Sequence, residues 1–268
     1  MFYFAIQSGL VPGDTFRQKF EFLAQWGYDG IEVSGVDLLA RAGELRQATA
    51  EFPVKVSSAC GGYEGWLADP NPRARILAIA QIKEMLAAGA ELGTAGLVAP
   101  AAYGIGVRNV LPPFRSAYTL EEERARLVDS LQQVAESAEQ TGGTLLLEPL
   151  NRYEDRVLNT LAEAVSVIEE VDSPAVRLMP DFFHMNVEEA DIPASLRRHA
   201  QYIGHVHLAD SNRQLPGHGH TDFASGFAAL QEAGYQGWLA IESRVTGDPM
   251  AALPQTLTFL RLQAARSL

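Results

Sequence analysis

Four ionisable side chains stand at the ends of short apolar runs in the second half of the chain: Glu148, Asp181, His207 and Glu242. Carboxylates gathered in a desolvated site repel one another strongly unless a cation lies between them. This set is rich in oxygen, holds one nitrogen and lacks sulfur, which suits Mn²⁺, Mg²⁺ or Co²⁺ better than a structural zinc site. We therefore predict that these residues bind one divalent metal ion, with Mn²⁺ expected first and Zn²⁺ left open.

Eight short apolar runs, each expected to form a β-strand, alternate with helical sequence. They cover residues 2–7, 31–33, 53–58, 96–99, 144–148, 176–181, 203–207 and 238–242. Glycine-containing turns join them, and no linker rich in Pro, Ser or charge interrupts them, which favours one parallel α/β domain. We predict a single (β/α)8 TIM barrel that spans residues 1–268. A doubly wound open sheet is the alternative, but its phosphate-binding glycine fingerprint is missing after the first strand, where Gln7-Ser8-Gly9 stands.

The four candidate ligands end the fifth to eighth predicted strands, and active sites of (β/α)8 barrels form at such C-terminal strand ends. Side chains alternate along a strand, so each candidate shares its face with the residue two positions earlier. Those residues are Leu146, Met179, His205 and Ala240. We expect all of them to point into the barrel. A divalent ion with four protein ligands keeps about two coordination positions, enough for two neighbouring oxygens of a sugar.

Local sequence signals predict where two helices begin and point to one long loop. The pairs Thr119 with Glu122 and Thr160 with Glu163 fit the capping box that begins a helix. The loop after the fourth strand, which contains Tyr103, Arg108 and Arg115, is long enough to suggest a function. Pro254 leaves the first turn of the last helix uncertain.

Composition excludes several classes of function. A hydrophobic fraction of 47% with 20% charged residues indicates a globular protein with a core. The formal net charge of −12 opposes nucleic acid as a partner, because phosphate binding needs clustered Lys and Arg. Cys60 is the single cysteine, which excludes intramolecular disulfides and favours the cytoplasm. No apolar stretch reaches 18 residues, so we expect neither secretion nor a membrane span.

Four other polar residues have a structural interpretation beside a functional one. His205 is expected to be a core histidine or one that supports a ligand from behind. Glu32 either lines the pocket or forms an ion pair. His218 and His220, in Gly-His-Gly-His, are expected to shape or line a loop rather than bind a second metal.

Several spaced segments of the second half resemble the xylose isomerase-like barrels, and within them the ketose 3-epimerases that act on D-tagatose and D-psicose. The matching segments are Leu147-Glu148, residues 151–154, Asp181 to Asn186, His205-Val206-His207, Asn212-Arg213, Pro216-Gly217 and Glu242. The resemblance extends over nearly the whole chain and implies an isomerase of carbohydrate metabolism with a metal-binding TIM barrel.

The resemblance also implies roles for individual residues. Glu148, Asp181, His207 and Glu242 match the metal ligands, whereas Glu154, His184 and Arg213 match residues that contact hydroxyl and carbonyl oxygens of the substrate. Glu148 and Glu242 would face opposite sides of the sugar, so that one removes the proton beside the carbonyl and the other returns a proton to the opposite face. The metal would stabilise the enediolate between these steps.

The chain departs from the family pattern at two points. Ser243 and Arg244 follow Glu242, where the epimerases usually carry Pro and an aromatic residue, and Asp210 stands where they often have Glu. Arg244 near the pocket mouth suggests, as a hypothesis, a substrate with a phosphate or carboxylate group. A surface arginine without that role is the alternative.

Other functions stay open on the same fold. Aldose–ketose isomerisation and dehydration of an inosose begin with the same proton abstraction. An apurinic endonuclease needs histidines at the third and fourth strand ends, where Ser57-Ser58-Ala59 and Val98-Ala99-Pro100 stand. A non-catalytic sugar-binding barrel would not need both Glu148 and Glu242. The expected partner is a small sugar, and a homo-oligomer is possible.

Overall fold

The computed structural model describes residues 2–107, 111 and 116–266 of the chain. Within these residues eight strands form one parallel sheet. The strands are β1 (Tyr3–Gln7), β2 (Gly30–Ser34), β3 (Lys55–Cys60), β4 (Leu97–Pro100), β5 (Leu145–Glu148), β6 (Val176–Leu178), β7 (Val206–Leu208) and β8 (Trp238–Ile241).

The sheet closes on itself into a barrel. Its order is β6-β5-β4-β3-β2-β1-β8-β7, so β1 pairs with both β2 and β8. Two isolated parallel bridges, Leu178 with Ile203 and Asp181 with His207, join the two edge strands. The amide of Gly204 donates to the carbonyl of Leu178 at 2.9 Å at this seam. The predicted (β/α)8 TIM barrel is confirmed.

Helices follow the strands around the outside of the barrel. They are α1 (Phe16–Trp26), α2 (Gly35–Ala40), α3 (Ala42–Glu51), α4 (Pro72–Leu92), α5 (Leu120–Thr141), α6 (Leu161–Val171), α7 (Phe182–Glu188), α8 (Ile192–His199), α9 (Phe223–Glu232) and α10 (Pro249–Arg266). Both predicted capping boxes are present: Thr119 begins α5 and Thr160 begins α6. Pro254 lies inside α10 without ending it.

The bounds of the strands differ from the sequence prediction, and the differences in the last three strands concern the candidate residues. The sixth ends at Leu178 rather than at residue 181, because Asp181 is already the N-cap of α7 and accepts a hydrogen bond from the amide of Phe183 at 2.8 Å. The seventh begins at Val206 rather than at residue 203, and the eighth ends at Ile241, one residue before Glu242. Each candidate residue still lies in the last two residues of its strand or shortly after it.

Two apolar regions hold the barrel together. The larger lies between the sheet and the helices and includes Phe20, Leu131 and Phe227. A small cluster of Val98, Leu146 and Met179, with Cys60 packed against it, is separate from it. Alternation along β5 puts Glu148 on the face of Leu146, so the small cluster lies beside the candidate residues.

The long loop after β4 is described only in part. Tyr103 is described, whereas Arg108 and Arg115, which the sequence singled out, lie outside the described residues. Among the described helices, none combines the length and the apolar character that a membrane crossing requires.

Candidate active site

The structure brings the four predicted ligand residues together at one end of the barrel. One donor atom from each of Glu148, Asp181, His207 and Glu242 lies within 4.8 Å of the other three. Glu148 ends β5, His207 lies in β7, and Asp181 and Glu242 follow β6 and β8. Neighbouring parallel strands end at the same edge of the sheet, and this is why residues far apart in sequence meet here.

Glu148 has few polar partners. Its relative exposure is 5%, and its buried Oε1 accepts no hydrogen bond from the described residues. Nε2 of His184 lies 3.6 Å from this oxygen. Burial and the negative charge of Glu242 raise the pKa of Glu148 well above its usual range.

Glu242 has several donors around it. Its Oε1 accepts a hydrogen bond from Nε2 of Gln7 at 2.9 Å, and its Oε2 lies 3.2 Å from Nδ1 of His207 and within hydrogen-bond reach of Arg213. Burial alone would raise the pKa of Glu242, but His207 and Arg213 outweigh it and lower the pKa to about 2.

Arg213 links two of the candidate ligands. Nη1 lies 2.5 Å from Oδ2 of Asp181, and Nη2 bonds to Glu242. Its backbone is left-handed, with φ of 62°, which a non-glycine residue adopts only where its surroundings hold it. They do so here, because its amide donates to the carbonyl of Asp210 and its carbonyl accepts from Arg244, both at 2.8 Å. The guanidinium also lies 4.7 Å from the ring centre of Phe183.

His184 lies beside the cluster with a defined tautomer. The backbone amide of Asn151 donates to Nδ1 at 3.0 Å, so in the neutral ring the proton is on Nε2. Nε2 lies 3.6 Å from an oxygen of Glu148 and from an oxygen of Asp181. Burial lowers the pKa of His184, which favours the neutral ring. The Asn151 side chain also donates to Glu154 at 3.2 Å, so one asparagine positions two of the three predicted substrate-binding residues.

A cavity of ≈ 210 Å³ opens onto these residues. Glu148, Glu154, His184, Arg213 and Glu242 line it, together with Cys60, Gly61, Trp66, Pro100, Tyr103 and Leu150. The rings of Trp66 and Tyr103 lie edge to face with their centres 5.7 Å apart. The cavity therefore combines charged groups with an aromatic wall, a composition typical of a small-molecule site.

Comparison with known proteins identifies the family. Residues 20–263 match the family described as the xylose isomerase-like TIM barrel. The chain belongs to this family.

Several sugar epimerases resemble the chain over most of its length. It is 39% identical over 249 residues to 3-dehydro-D-guloside 4-epimerase of Escherichia coli, which covers 92% of this chain and 95% of that protein. L-ribulose 3-epimerase of Mesorhizobium japonicum is 32% identical over 219 residues, covering 81% and 71%. The crystal structure of 3-keto-D-glucoside 4-epimerase from Escherichia coli has a TM-score of 0.93 at 37% identity and covers 98% of this chain and 100% of that one. The chain is an enzyme of the isomerase class, as the sequence predicted.

Two residues of this family member were missed or left undecided by sequence reasoning. Gln7, at the end of β1, contacts the site directly through Glu242. Glu32 is fully buried in β2 and lies 3.0 Å from Nε2 of His207. A lone Gln or Glu in a strand is too common to single out from sequence. The signal that could have found both residues is their position in strands whose C-terminal ends converge on the predicted site.

The remaining candidates lie outside the cavity. His218 and His220 are exposed in a loop, in agreement with the interpretation of Gly-His-Gly-His as a loop segment. Asp210 holds this loop: its carboxylate accepts hydrogen bonds from the amides of Ser211, Gly217 and Thr221. The side chain of Arg244 is exposed and is not among the residues that line the cavity.

The donor set fits a divalent metal ion. Three carboxylates and one imidazole offer oxygen and nitrogen donors within 4.8 Å of one another, and the buried Oε1 of Glu148 has no other partner among the described residues. Such an oxygen is costly to bury unless something pairs with it. Buried carboxylates without sulfur ligands suit a hard or borderline cation.

Proposed function

We propose that this enzyme is a metal-dependent epimerase that inverts the carbon beside the carbonyl group of a sugar. The observation that supports it most directly is the pairing of Glu148 and Glu242 in one cavity. Both carboxylates belong to the donor cluster, yet the first has an oxygen without a partner and the second is surrounded by donors. Two carboxylates kept in unlike environments are typical of a pair that shares acid and base roles.

In this proposal Glu148, Asp181, His207 and Glu242 hold one divalent ion, with Mn²⁺ as the first candidate. The ion would supply Lewis-acid polarisation of the substrate carbonyl and so make the neighbouring C–H group more acidic. The protein's part is to keep four donors at one end of a rigid barrel and to exclude bulk water from them.

Glu148 and Glu242 move the protons. One carboxylate removes the proton from the carbon beside the carbonyl, and the electron pair of that C–H bond passes into the enediolate. The other group, as a carboxylic acid, gives a proton to the opposite face of the same carbon, and the carbonyl forms again. Each step needs a carboxyl group close enough to the reacting carbon to transfer a proton. General acid–base catalysis by such a group typically increases the rate by about 10²–10⁴-fold.

The three neighbouring residues would orient the sugar. His184 presents its Nε2–H towards the cluster and could donate to a substrate oxygen, because its Nδ1 is already occupied by Asn151. Arg213 and Glu154 line the same cavity. Arg213 provides a positively charged donor there, and Glu154 provides a hydrogen-bond acceptor. Holding the oxygens of the enediolate in place favours return of the proton over loss of a substituent.

The substrate is proposed to be an uncharged sugar. Among the described residues that line the cavity, Arg213 is the one arginine or lysine, and two carboxylates already engage it. Arg244 is exposed and does not line the cavity, so the hypothesis of an anionic substrate group finds no support from it. The relatives named above act on keto-glycosides and on a free ketose, and we propose a 3-keto-glycoside first, since that relative matches over more of both chains.

The experiment is solvent deuterium exchange, followed by NMR, on a panel of 3-keto-glycosides, ketoses, inososes and their phosphates with added Mn²⁺, Mg²⁺ or Co²⁺. We expect label beside the carbonyl of an uncharged keto sugar, together with the epimer as product, and loss of both after chelation. Exchange with dehydration or with an aldose as product would move the enzyme to the lyase or aldose–ketose alternative. A protein that binds the metal but exchanges no compound would contradict the proposal.

A further inference from the structure

A second polar layer lies directly beneath the donor cluster. It consists of Glu32 in β2, Ser58 in β3 and His205 just before β7, all of them buried. One oxygen of Glu32, Oε2, collects three partners: Oγ of Ser58 at 2.7 Å, Nε2 of His207 at 3.0 Å and Nε2 of His205 at 3.2 Å. The proposed mechanism gives this layer no role.

Glu32 reaches the donor cluster by two routes. The first is His207, whose Nε2 faces Glu32 while its Nδ1 faces the cluster, 3.2 Å from Glu242 and 4.0 Å from Glu148. The second is Gln7, whose single amide nitrogen donates to Oε1 of Glu32 at 3.1 Å and to Oε1 of Glu242 at 2.9 Å. Both oxygens of Glu32 are thus hydrogen-bonded to groups that touch the site.

The contact with His207 decides which of its nitrogens can bind a cation. A carboxylate that accepts a hydrogen bond from one ring nitrogen keeps the proton there and leaves the lone pair of the other nitrogen free. It also fixes the orientation of the ring. With Glu32 on Nε2, the lone pair of Nδ1 is directed towards Glu148 and Glu242.

Glu32, His205 and His207 also lie close enough together to suggest a metal site of their own. The hydrogen bonds oppose this. Oε2 of Glu32 already has a serine hydroxyl at 2.7 Å, and His207 would have to offer one nitrogen to each of two ions. A supporting role for Glu32 accounts for all of these contacts. It requires only one metal ion and a neutral His205.

We propose that Glu32 is a positioning residue of the metal site: it holds His207 with Nδ1 available to the ion, and Gln7 couples the same carboxylate to Glu242. This rests on the proposed function, since it presumes that the cluster binds a metal. Substitution of such a supporting carboxylate typically weakens metal binding by about 10- to 100-fold.

The test is Glu32→Gln, read as the dissociation constant for Mn²⁺ by electron paramagnetic resonance and the absorption spectrum of bound Co²⁺. An amide at this position must place its NH₂ group against Gln7 or against the donors at Oε2, so no orientation restores the hydrogen bonds. We expect metal binding about 10- to 100-fold weaker and an altered Co²⁺ spectrum. An unchanged constant in folded protein, or binding of two ions per wild-type chain, would overturn the proposal.

Ser58→Ala is the matched control. It removes a donor from the same oxygen of Glu32 but leaves the contact with His207, so a change of less than about 3-fold is expected. An equally large loss in this variant would show general loosening of the layer and would overturn the role given to His207. Melting curves of the metal-free proteins report such loosening separately.

If Glu32→Gln fails to fold, Gln7→Ala is the variant that tests the proposal. Gln7 is only half-buried, and its loss removes the coupling of Glu32 to Glu242 without placing an amide against the buried donors. We expect metal binding weakened by at least about 3-fold, and wild-type binding would overturn the proposal. A wild-type protein that binds no divalent ion defeats the proposed function itself, whereas normal wild-type binding with unaffected variants defeats only this inference.

Discussion

The two sides of the candidate site treat their carboxylates in opposite ways. On the side of β5, Glu148 is buried with one oxygen that has no hydrogen-bond partner among the described residues, and Nε2 of His184 lies 3.6 Å from it. On the side of β8, Glu242 accepts from Gln7 and bonds to Arg213. One carboxylate has been left short of partners and the other has been supplied with several.

The difference shows how one barrel can give two chemically identical groups unlike surroundings. Burial and the negative charge of Glu242 raise the pKa of Glu148, whereas His207 and Arg213 outweigh burial and lower the pKa of Glu242. Environments that separate the pKa values of two carboxyl groups are a common way to divide acid and base roles between them. The predictions below test whether the two sides also differ in function.

The largest effect is expected from Glu148→Gln and Glu242→Gln. Each variant should lose epimerisation by about 10³-fold or more, because each removes one of two proton-transfer groups. The two variants should differ in what they retain. Each variant should still incorporate solvent deuterium into one epimer of the substrate, namely the epimer whose proton faces the remaining carboxylate. The labelled epimer should therefore differ between Glu148→Gln and Glu242→Gln.

Metal content by mass spectrometry is the control, since the amide oxygen keeps a donor in the cluster. Near-normal epimerisation in either variant would end the two-base mechanism. If both variants exchanged the same epimer with normal metal content, the two sides would not face opposite sides of the sugar.

The sequence predicted which residues form the candidate site but not the difference between the surroundings of the two carboxylates. Strand ends and alternation predicted that Glu148, Asp181, His207 and Glu242 would meet, because these follow from backbone geometry alone. The predicted end of the sixth strand was three residues too late. Asp181 continues the pattern of the strand in the sequence, but in the structure it is the N-cap of the next helix. Whether a carboxylate has partners depends on contacts that no local pattern records.

Gln7 illustrates the limit most clearly. Its amide contacts Glu32, 25 residues away, and Glu242, 235 residues away. A lone glutamine at the end of a strand carries no signal of either contact. Once the barrel is accepted, β1 is known to lie between β2 and β8, and all three residues stand near the ends of these adjacent strands. The fold could thus narrow the search, but only side-chain geometry could select Gln7.

A smaller effect is expected from His184→Ala on the Glu148 side. The turnover number should fall by about 100-fold, because the Nε2–H donor that faces the cluster is lost. Metal content should stay at the wild-type level, since His184 lies beside the cluster rather than within it. His199→Ala is the matched control: this buried histidine contacts the carbonyl of Ser195 in α8, outside the cavity. Loss of the metal in His184→Ala alone would place that residue among the ligands.

A smaller effect still is expected at the aromatic wall that Trp66 and Tyr103 form in the cavity. Trp66→Ala should raise KM by about 10-fold, since an aromatic face that packs on a sugar contributes on the order of 1 kcal/mol beyond its buried area. The turnover number should change little, because the indole carries no group that transfers a proton in the reaction. Steady-state kinetics on the sugar identified by deuterium exchange would measure both constants. A fall in turnover at unchanged KM would instead tie Trp66 to one of the two carboxylate sides.

Arg244→Ala is a control outside the cavity and also tests the earlier hypothesis of an anionic substrate. The side chain is exposed and does not line the cavity, and its backbone amide, which supports Arg213, survives the substitution. KM for the free sugar and for its phosphate should therefore both stay at wild-type values. A selective rise for the phosphate would restore Arg244 as an anion-binding residue and would place a charged substrate group on the Glu242 side.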